Sequence, residues 1–271
     1  MAICAACNEL GIPSVDIQHG IQGDIHIAYG NWSKVPKEGF KTLPSIFWNW
    51  NQSQAKYIDN WAVKNRKHQT FVGGNPWDQV FQTISNNLGN SCKSEIDVLK
   101  IKDSNAVYIL FTLQPMGDDL IPDFFFNLYN NSPDNWQWWF RLHPRQSLDD
   151  AIVKLLTDKY NVSAYKIKLV SECPLNLILE HANLHITQFS SVVLEAENFG
   201  VPSICIHPNS VDMFSEQIDN GIALYCGENS EDLQKCIYQQ LNARIQSQDK
   251  EFNYKEKFDQ LLLDYEVKPD L

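Results

Sequence analysis

Short apolar runs and helical spacings alternate along the second half of the chain. Ala106–Leu113 is almost free of polar residues, as expected of a strand covered on both faces. Trp136–Leu142, Ile167–Ser171, Leu184–Thr187, Val201–Ile206 and Ala223–Tyr225 predict further short strands. Helical patterns fall between them, at Asp119–Tyr129, Leu148–Tyr160, Pro174–His181, Ser191–Phe199, Ser210–Asn220 and Ser230–Arg244. Glu251–Tyr265 then reads as a charged amphipathic tail helix. Such regular alternation predicts a doubly wound parallel sheet.

The first part is less regular. Met1–Leu10 predicts a helix broken by Gly11-Ile12-Pro13. Ser14–Gln18, Pro44–Trp48 and Thr70–Val72 predict strands, and Gln52–Lys64 an amphipathic helix with Ala55, Tyr57, Ile58, Trp61 and Ala62 on one stripe. Gly73-Gly74-Asn75-Pro76 is a strong turn signal, Asp78–Leu88 a connecting helix, and the polar stretch Ser85–Ser104 the expected boundary. The division is therefore 1–75, a linker at 76–103, a second α/β domain at 104–250 and the tail at 251–271.

Chemistry concentrates at strand ends. Ser190 and Ser191 stand between the strand around Leu184–Thr187 and a helix, where N–H groups and the dipole favour an anion. Capping alone also explains a serine there. Arg141-Leu142-His143-Pro144-Arg145 closes another strand with a cationic cluster that suits a phosphate, or forms a solvated basic loop. Glu195, one turn into the helix, can accept ribose hydroxyls, or simply complement the dipole; Glu197 is an equal alternative. Gln18-His19-Gly20 ends a strand in the first part, where a histidine can act as general base.

Composition narrows the partners. A formal net charge of −11 argues against a nucleic-acid backbone or an anionic membrane as general partner. No apolar run approaches the roughly 20 residues of a membrane span, and no signal peptide is read at the start, so a cytoplasmic location or one at the inner face of the cell membrane is expected. The seven cysteines have no regular spacing and read as free thiols; Cys4 and Cys7 lack the second pair that a zinc site needs. Walker A and Gly-x-Gly-x-x-Gly sequences are absent.

The ordered set Gln18-His19-Gly20, Val72-Gly73-Gly74-Asn75-Pro76, Arg141-Leu142-His143-Pro144 and Gln188-Phe189-Ser190-Ser191-Val192-Val193-Leu194-Glu195 resembles GT-B-fold glycosyltransferases of bacterial surface and capsular polysaccharides. Kdo- and sialic-acid-type transferases and CDP-glycerol glycerophosphotransferases are similar, and UDP-N-acetylglucosamine 2-epimerases more distantly so. The resemblance implies a GT-B-like fold, with a complete C-terminal domain and an incomplete N-terminal Rossmann-like one. It implies a CMP-, CDP- or UDP-linked sugar donor, a saccharide or lipid-linked acceptor, no cofactor and no bound metal. Arg141, His143, Ser190, Ser191 and Glu195 would hold the nucleotide, with His19 as base. Gln18, Gly20 and Asn75 would line the acceptor side. An N-terminal domain lacking its first strands leaves an open sheet edge, so a homo-oligomer is also expected. The alternatives are an epimerase, which would need extra acids such as Asp16 or Asp24, and a non-catalytic nucleotide-binding remnant.

Overall fold

In the computed structural model the chain forms two compact units, residues 1–83 with 250–271 and residues 84–249. The structure describes residues 1–22, 26, 29–30, 32–62, 67–77, 80, 94–100, 103–115, 121–227, 229–243 and 253–264. The expected connecting helix Asp78–Leu88 falls almost wholly outside these residues.

The first unit begins with α1 (Ala2–Leu10), which ends at Gly11 in the left-handed conformation, φ 68°. A parallel sheet in the order β1-β2-β3 follows, from β1 (Val15–Ile17), β2 (Ile46–Asn49) and β3 (Gln69–Val72), with α2 (Gln52–Ala62) between the last two. Strand β2 is buried along its whole length. Phe47 packs with Leu43 and with Ile58, Trp61 and Ala62 of α2. Strand β1 is an edge strand whose Val15 and Ile17 are exposed. Helix α1 buries none of its residues fully, and Cys4, Ala5 and Cys7 are half-buried. Its recorded side-chain anchor is Asn8 Nδ2 donating to the Lys41 carbonyl, 2.8 Å.

The second unit runs β4 (Val107–Thr112), α3 (Asp123–Asn130), β5 (Trp136–Arg141), α4 (Ala151–Asp158), α5 (Ala164–Glu172), α6 (Leu175–Leu179), β6 (Leu184–Thr187), α7 (Val192–Asn198), β7 (Ser203–Cys205), α8 (Asn209–Met213), α9 (Ser215–Asp219), β8 (Ala223–Tyr225) and α10 (Ser230–Leu241). All five strands are parallel, in the order β5-β4-β6-β7-β8. This is the doubly wound architecture expected from the alternation. Aromatic residues supply much of its core. Phe125 of α3 meets Phe111 of β4 at 4.8 Å and Trp138 of β5 at 5.1 Å between ring centroids, both edge-on, the arrangement aromatic quadrupoles favour.

One expected strand is a correction. Ile167–Ser171 lies inside α5. Lys166-Ile167-Lys168-Leu169 alternates like a half-buried strand, but Ile167 and Val170 are both fully buried three residues apart, which is helical spacing. Helices α8 and α9 also divide the single helix expected at Ser210–Asn220.

The tail forms α11 (Tyr254–Asp264), which belongs to the first unit. Leu261 is buried against Ile46 and Trp48 of β2. The tail thus covers the sheet face opposite the Phe47 cluster.

Candidate functional site

Strand order locates the site in the second unit. The chain passes from β4 to β5 on one side of β4 and returns to β6 on its other side. At such a switch point the loops leaving adjacent strands diverge, and the crevice outside the carboxyl ends is where open parallel sheets bind ligands.

The register aligns this edge. Arg141, Thr112, Thr187, Cys205 and Tyr225 form one row across the five strands. Two residues beyond that row stand His143, Gln114, Phe189 and His207, and this layer is contiguous where the structure records its contacts. Gln114 Oε1 accepts from the Phe189 N–H at 3.0 Å, and the Phe189 and His207 rings lie 4.8 Å apart. His143 leaves β5, two strands from β6, or about 10 Å by strand spacing.

His143 is half-buried, and its Nδ1 accepts the Arg145 N–H at 3.1 Å. Burial, then the neighbouring Arg145 charge, lower its pKa from the ordinary value. The neutral ring therefore carries its proton on Nε2, a donor suited to a phosphate oxygen. The same device recurs one motif later. His207 Nδ1 accepts the Asn209 N–H at 3.1 Å, so His143-Pro144-Arg145 and His207-Pro208-Asn209 are built alike at the ends of β5 and β7.

The serine turn hangs from the sheet. Thr187 Oγ1 donates to the Thr112 carbonyl at 3.1 Å and accepts the Ser190 N–H at 3.3 Å. Beneath it, His185 is fully buried, with Nε2 2.8 Å from Thr112 Oγ1 and Nδ1 3.0 Å from Ser203 Oγ. Burial pushes His185 down to about 3, so this internal imidazole is neutral and structural. The first N–H groups of α7 are engaged within the turn. Val192 donates to Ser190 Oγ at 3.4 Å, Val193 to the Ser190 carbonyl at 3.2 Å and Leu194 to the Ser191 carbonyl at 2.9 Å. The expectation of open N–H groups is thereby corrected. Ser191 makes no side-chain capping bond, and its hydroxyl is the group the turn offers.

Arg141, expected to hold phosphate at the end of a strand, is the last residue of β5, and its guanidinium is turned to the backbone of α5. Its Nη1 donates to the carbonyls of Val170 and Cys173, the latter at 2.7 Å, and so closes the carboxyl end of α5. Burial lowers its pKa to about 10, opposed by Cys173 and Glu195, and it stays cationic at neutral pH. Arg141 therefore contributes charge more than hydrogen bonds, and Glu195 is within its electrostatic reach. Glu197 accepts from Gln217 Nε2 of α9 at 3.1 Å.

The remaining expected residues lie in the first unit. His19 is exposed. Gln18, expected at a cleft, is only 3% exposed and its amide is used internally. A Cβ on Gly20 would meet no atom within 4 Å, so close packing does not require glycine there. Asn75 is buried, and its Oδ1 accepts the Trp77 N–H at 3.2 Å, opening a helical turn. Gly73 is a packing glycine, because a Cβ would come within 2.1 Å of the Trp48 indole. Asp16 is hydrogen-bonded by Tyr29, whose phenol is pushed up to about 12 by burial and then by that carboxylate. Gly23 and Asp24 lie outside the described residues. Among the described residues no group of three His, Cys, Asp or Glu side chains is arranged to hold a metal ion, and no helix is long and apolar enough to cross a membrane.

Sequence reading missed Gln114 and His207, and it quoted Phe189 within a motif without giving it a role. The signal for His207 was present, as a second His-Pro dipeptide at a strand end. Gln114 carried none, because its meeting with Phe189 depends on β4 and β6 being neighbours.

No family model matches the chain, and no curated protein matches it. Solved structures do. The UDP-GlcNAc 2-epimerase of Neisseria meningitidis, solved bound to UDP-GlcNAc, superposes with TM-score 0.63 at 14% identity, over 97% of this chain and 73% of that one. The UDP-GlcNAc 2-epimerase of Methanocaldococcus jannaschii gives TM-score 0.61 at 17% identity, over 97% and 73%. The wall teichoic acid polymerase TagF, as its H548A variant, gives 0.51 at 14%, over 93% and 63%. Across five UDP-GlcNAc 2-epimerase structures matched, the chain spans between 58% and 73% of their length. At these identities the likeness is one of fold, and that fold is α/β and GT-B-like.

Proposed function

We propose that this chain acts on a nucleotide-activated sugar, held through its diphosphate at the β4/β6 switch point, and transfers the sugar to an acceptor hydroxyl. The observation that carries this reading is the aligned layer at the carboxyl edge of the second sheet. There, imidazole donors at His143 and His207 flank the Ser190–Ser191 turn. In transfer the acceptor oxygen bonds to the anomeric carbon while the bond from that carbon to the phosphate oxygen breaks. The electron pair leaves with the nucleotide. His143 Nε2–H and the Ser191 hydroxyl would meet that developing charge, with the Arg141 cation behind them. Glu195 would take the ribose hydroxyls. His19 would receive the acceptor proton.

A second reading is favoured by the neighbours that are 2-epimerases solved with UDP-GlcNAc. It keeps the same nucleotide site and inverts the sugar instead of transferring it. Incubation with UDP-GlcNAc decides between them. Transfer releases UDP in proportion to acceptor, whereas epimerisation yields the 2-epimer with UDP still attached. A chain that binds the nucleotide and does neither is a binding remnant. A chain that binds no nucleotide refutes the site.

A further inference from the structure

The first unit buries amide side chains where its size would favour apolar ones. Gln54 is 3% exposed on a helix whose other buried members include Ala55, Ile58, Trp61 and Ala62. Its Oε1 accepts the Gln22 N–H at 2.7 Å and Gln18 Nε2 at 3.3 Å. Gln18 is held four further times. Its Oε1 accepts the Trp50 N–H at 2.9 Å and its Nε2 donates to the Gly20 carbonyl at 2.8 Å. Its backbone carbonyl accepts the Trp50 indole at 2.9 Å, and its N–H donates to the Trp48 carbonyl at 2.9 Å. Asn49 Nδ2 donates to Gln22 Oε1. Gln54 itself is fixed by its N–H donating to Asn51 Oδ1 at 2.9 Å, at the start of α2.

The segment Gln18–Gln22 is therefore clamped at both ends and through the Gly20 carbonyl, and His19 is its exposed residue. Burying amides gains little over burying apolar groups of the same size, and what a hydrogen-bonded polar network adds is a single geometry, even with Asn49 Oδ1 left without a partner. We infer that Gln54 is a positioning residue, which fixes the loop and with it the direction of the His19 imidazole. This rests on the proposed role of His19 as base only in its catalytic consequence.

The test uses the full chain and three variants. Gln54→Met removes the shared acceptor at similar volume, Gln54→Glu keeps an acceptor oxygen for both donors, and His19→Gln sets the floor. Amide 15N relaxation at His19 and Gly20 should give order parameters near ~0.85 in the wild type and below ~0.6 in Gln54→Met, with Gln54→Glu close to wild type. With UDP-GlcNAc as probe and its turnover as readout, by UDP release with acceptor or by 2-epimer formed, Gln54→Met should lower kcat at least tenfold with KM within twofold, and Gln54→Glu should restore it. Circular dichroism establishes that each variant is folded; should Gln54→Met not fold, an ordered Gln54→Glu loop supports the inference and a disordered one overturns it. A Gln54→Met loop as ordered as the wild type overturns it too. So does a loop that loosens with kcat unchanged while His19→Gln lowers kcat. If His19→Gln changes nothing, the reading of His19 as base fails, and the relaxation data alone decide the positioning role.

Discussion

Replacing His185 with glutamine should flatten the acid side of the stability curve. His185 lies between Thr112 Oγ1 and Ser203 Oγ with no exposure to solvent, and burial holds its pKa at about 3. In the unfolded chain a histidine titrates near ~6.5. Between those values the unfolded state binds a proton that the folded state refuses, so stability rises with pH across that window. The contribution is complete above the unfolded value and is lost as pH falls toward the folded one. Each pH unit inside the window is worth about 1.4 kcal/mol, so acidification from pH 6.5 to 5.0 costs about 2 kcal/mol. That is a large part of the 5–15 kcal/mol typical of a domain, by order of magnitude. Glutamine offers both an acceptor and a donor to the two hydroxyls and does not titrate. Urea denaturation at pH 6.5 and 5.0 measures the loss in each protein, and the wild type should lose about 2 kcal/mol more than His185→Gln. His26, His68, His143 and His181 are also held low by burial, but they titrate in both proteins and cancel. Equal acid losses in the two proteins would refute the reasoning.

Three further outcomes are expected. Ser191→Ala should weaken UDP binding by about 1.5–3 kcal/mol, the range for a hydrogen bond to a charged group, and calorimetry that finds unchanged affinity removes Ser191 from the site. Gly73→Ala should destabilise the first unit by about 1–3 kcal/mol, as overpacking does, because its methyl group would meet the Trp48 ring, which would show as a lower thermal midpoint. Leu261→Ala should cost about 2–5 kcal/mol and increase protease cleavage in the tail, since Leu261 is the buried residue that holds α11 against β2.

The second unit was the legible part of the sequence. Strands such as Ala106–Leu113 are buried on both faces and read as unbroken apolar runs, and the alternation around them has one common architectural solution. The failure at Ile167–Ser171 has a simple cause. Lysines at positions 166 and 168 mimic a two-residue period over a helix too short to declare its own. Site residues were legible where a motif carried them, as at His143-Pro144 and Ser190-Ser191. How those residues are used was not. Arg141 reads from its neighbours as part of a cationic phosphate cluster, yet its Nη1 closes α5, because only the folded chain brings the Val170 and Cys173 carbonyls beside β5. Gln18 was expected to line a cleft and Gln54 drew no notice, and the burial of both follows from pairing across 36 positions. Gly73 was read as a turn, and the indole that forbids a side chain there is Trp48 of β2, which the sequence alone does not bring near.

Hydrogen exchange with and without UDP reads out whether a nucleotide binds at the switch-point edge of the second sheet. Saturating UDP should slow exchange in peptides covering 113–115, 143–146 and 188–194, and Ser191→Ala should reduce that protection at equal UDP concentration. No protection in these three segments, or protection confined to other parts of the chain, would mean that the nucleotide does not bind at this edge.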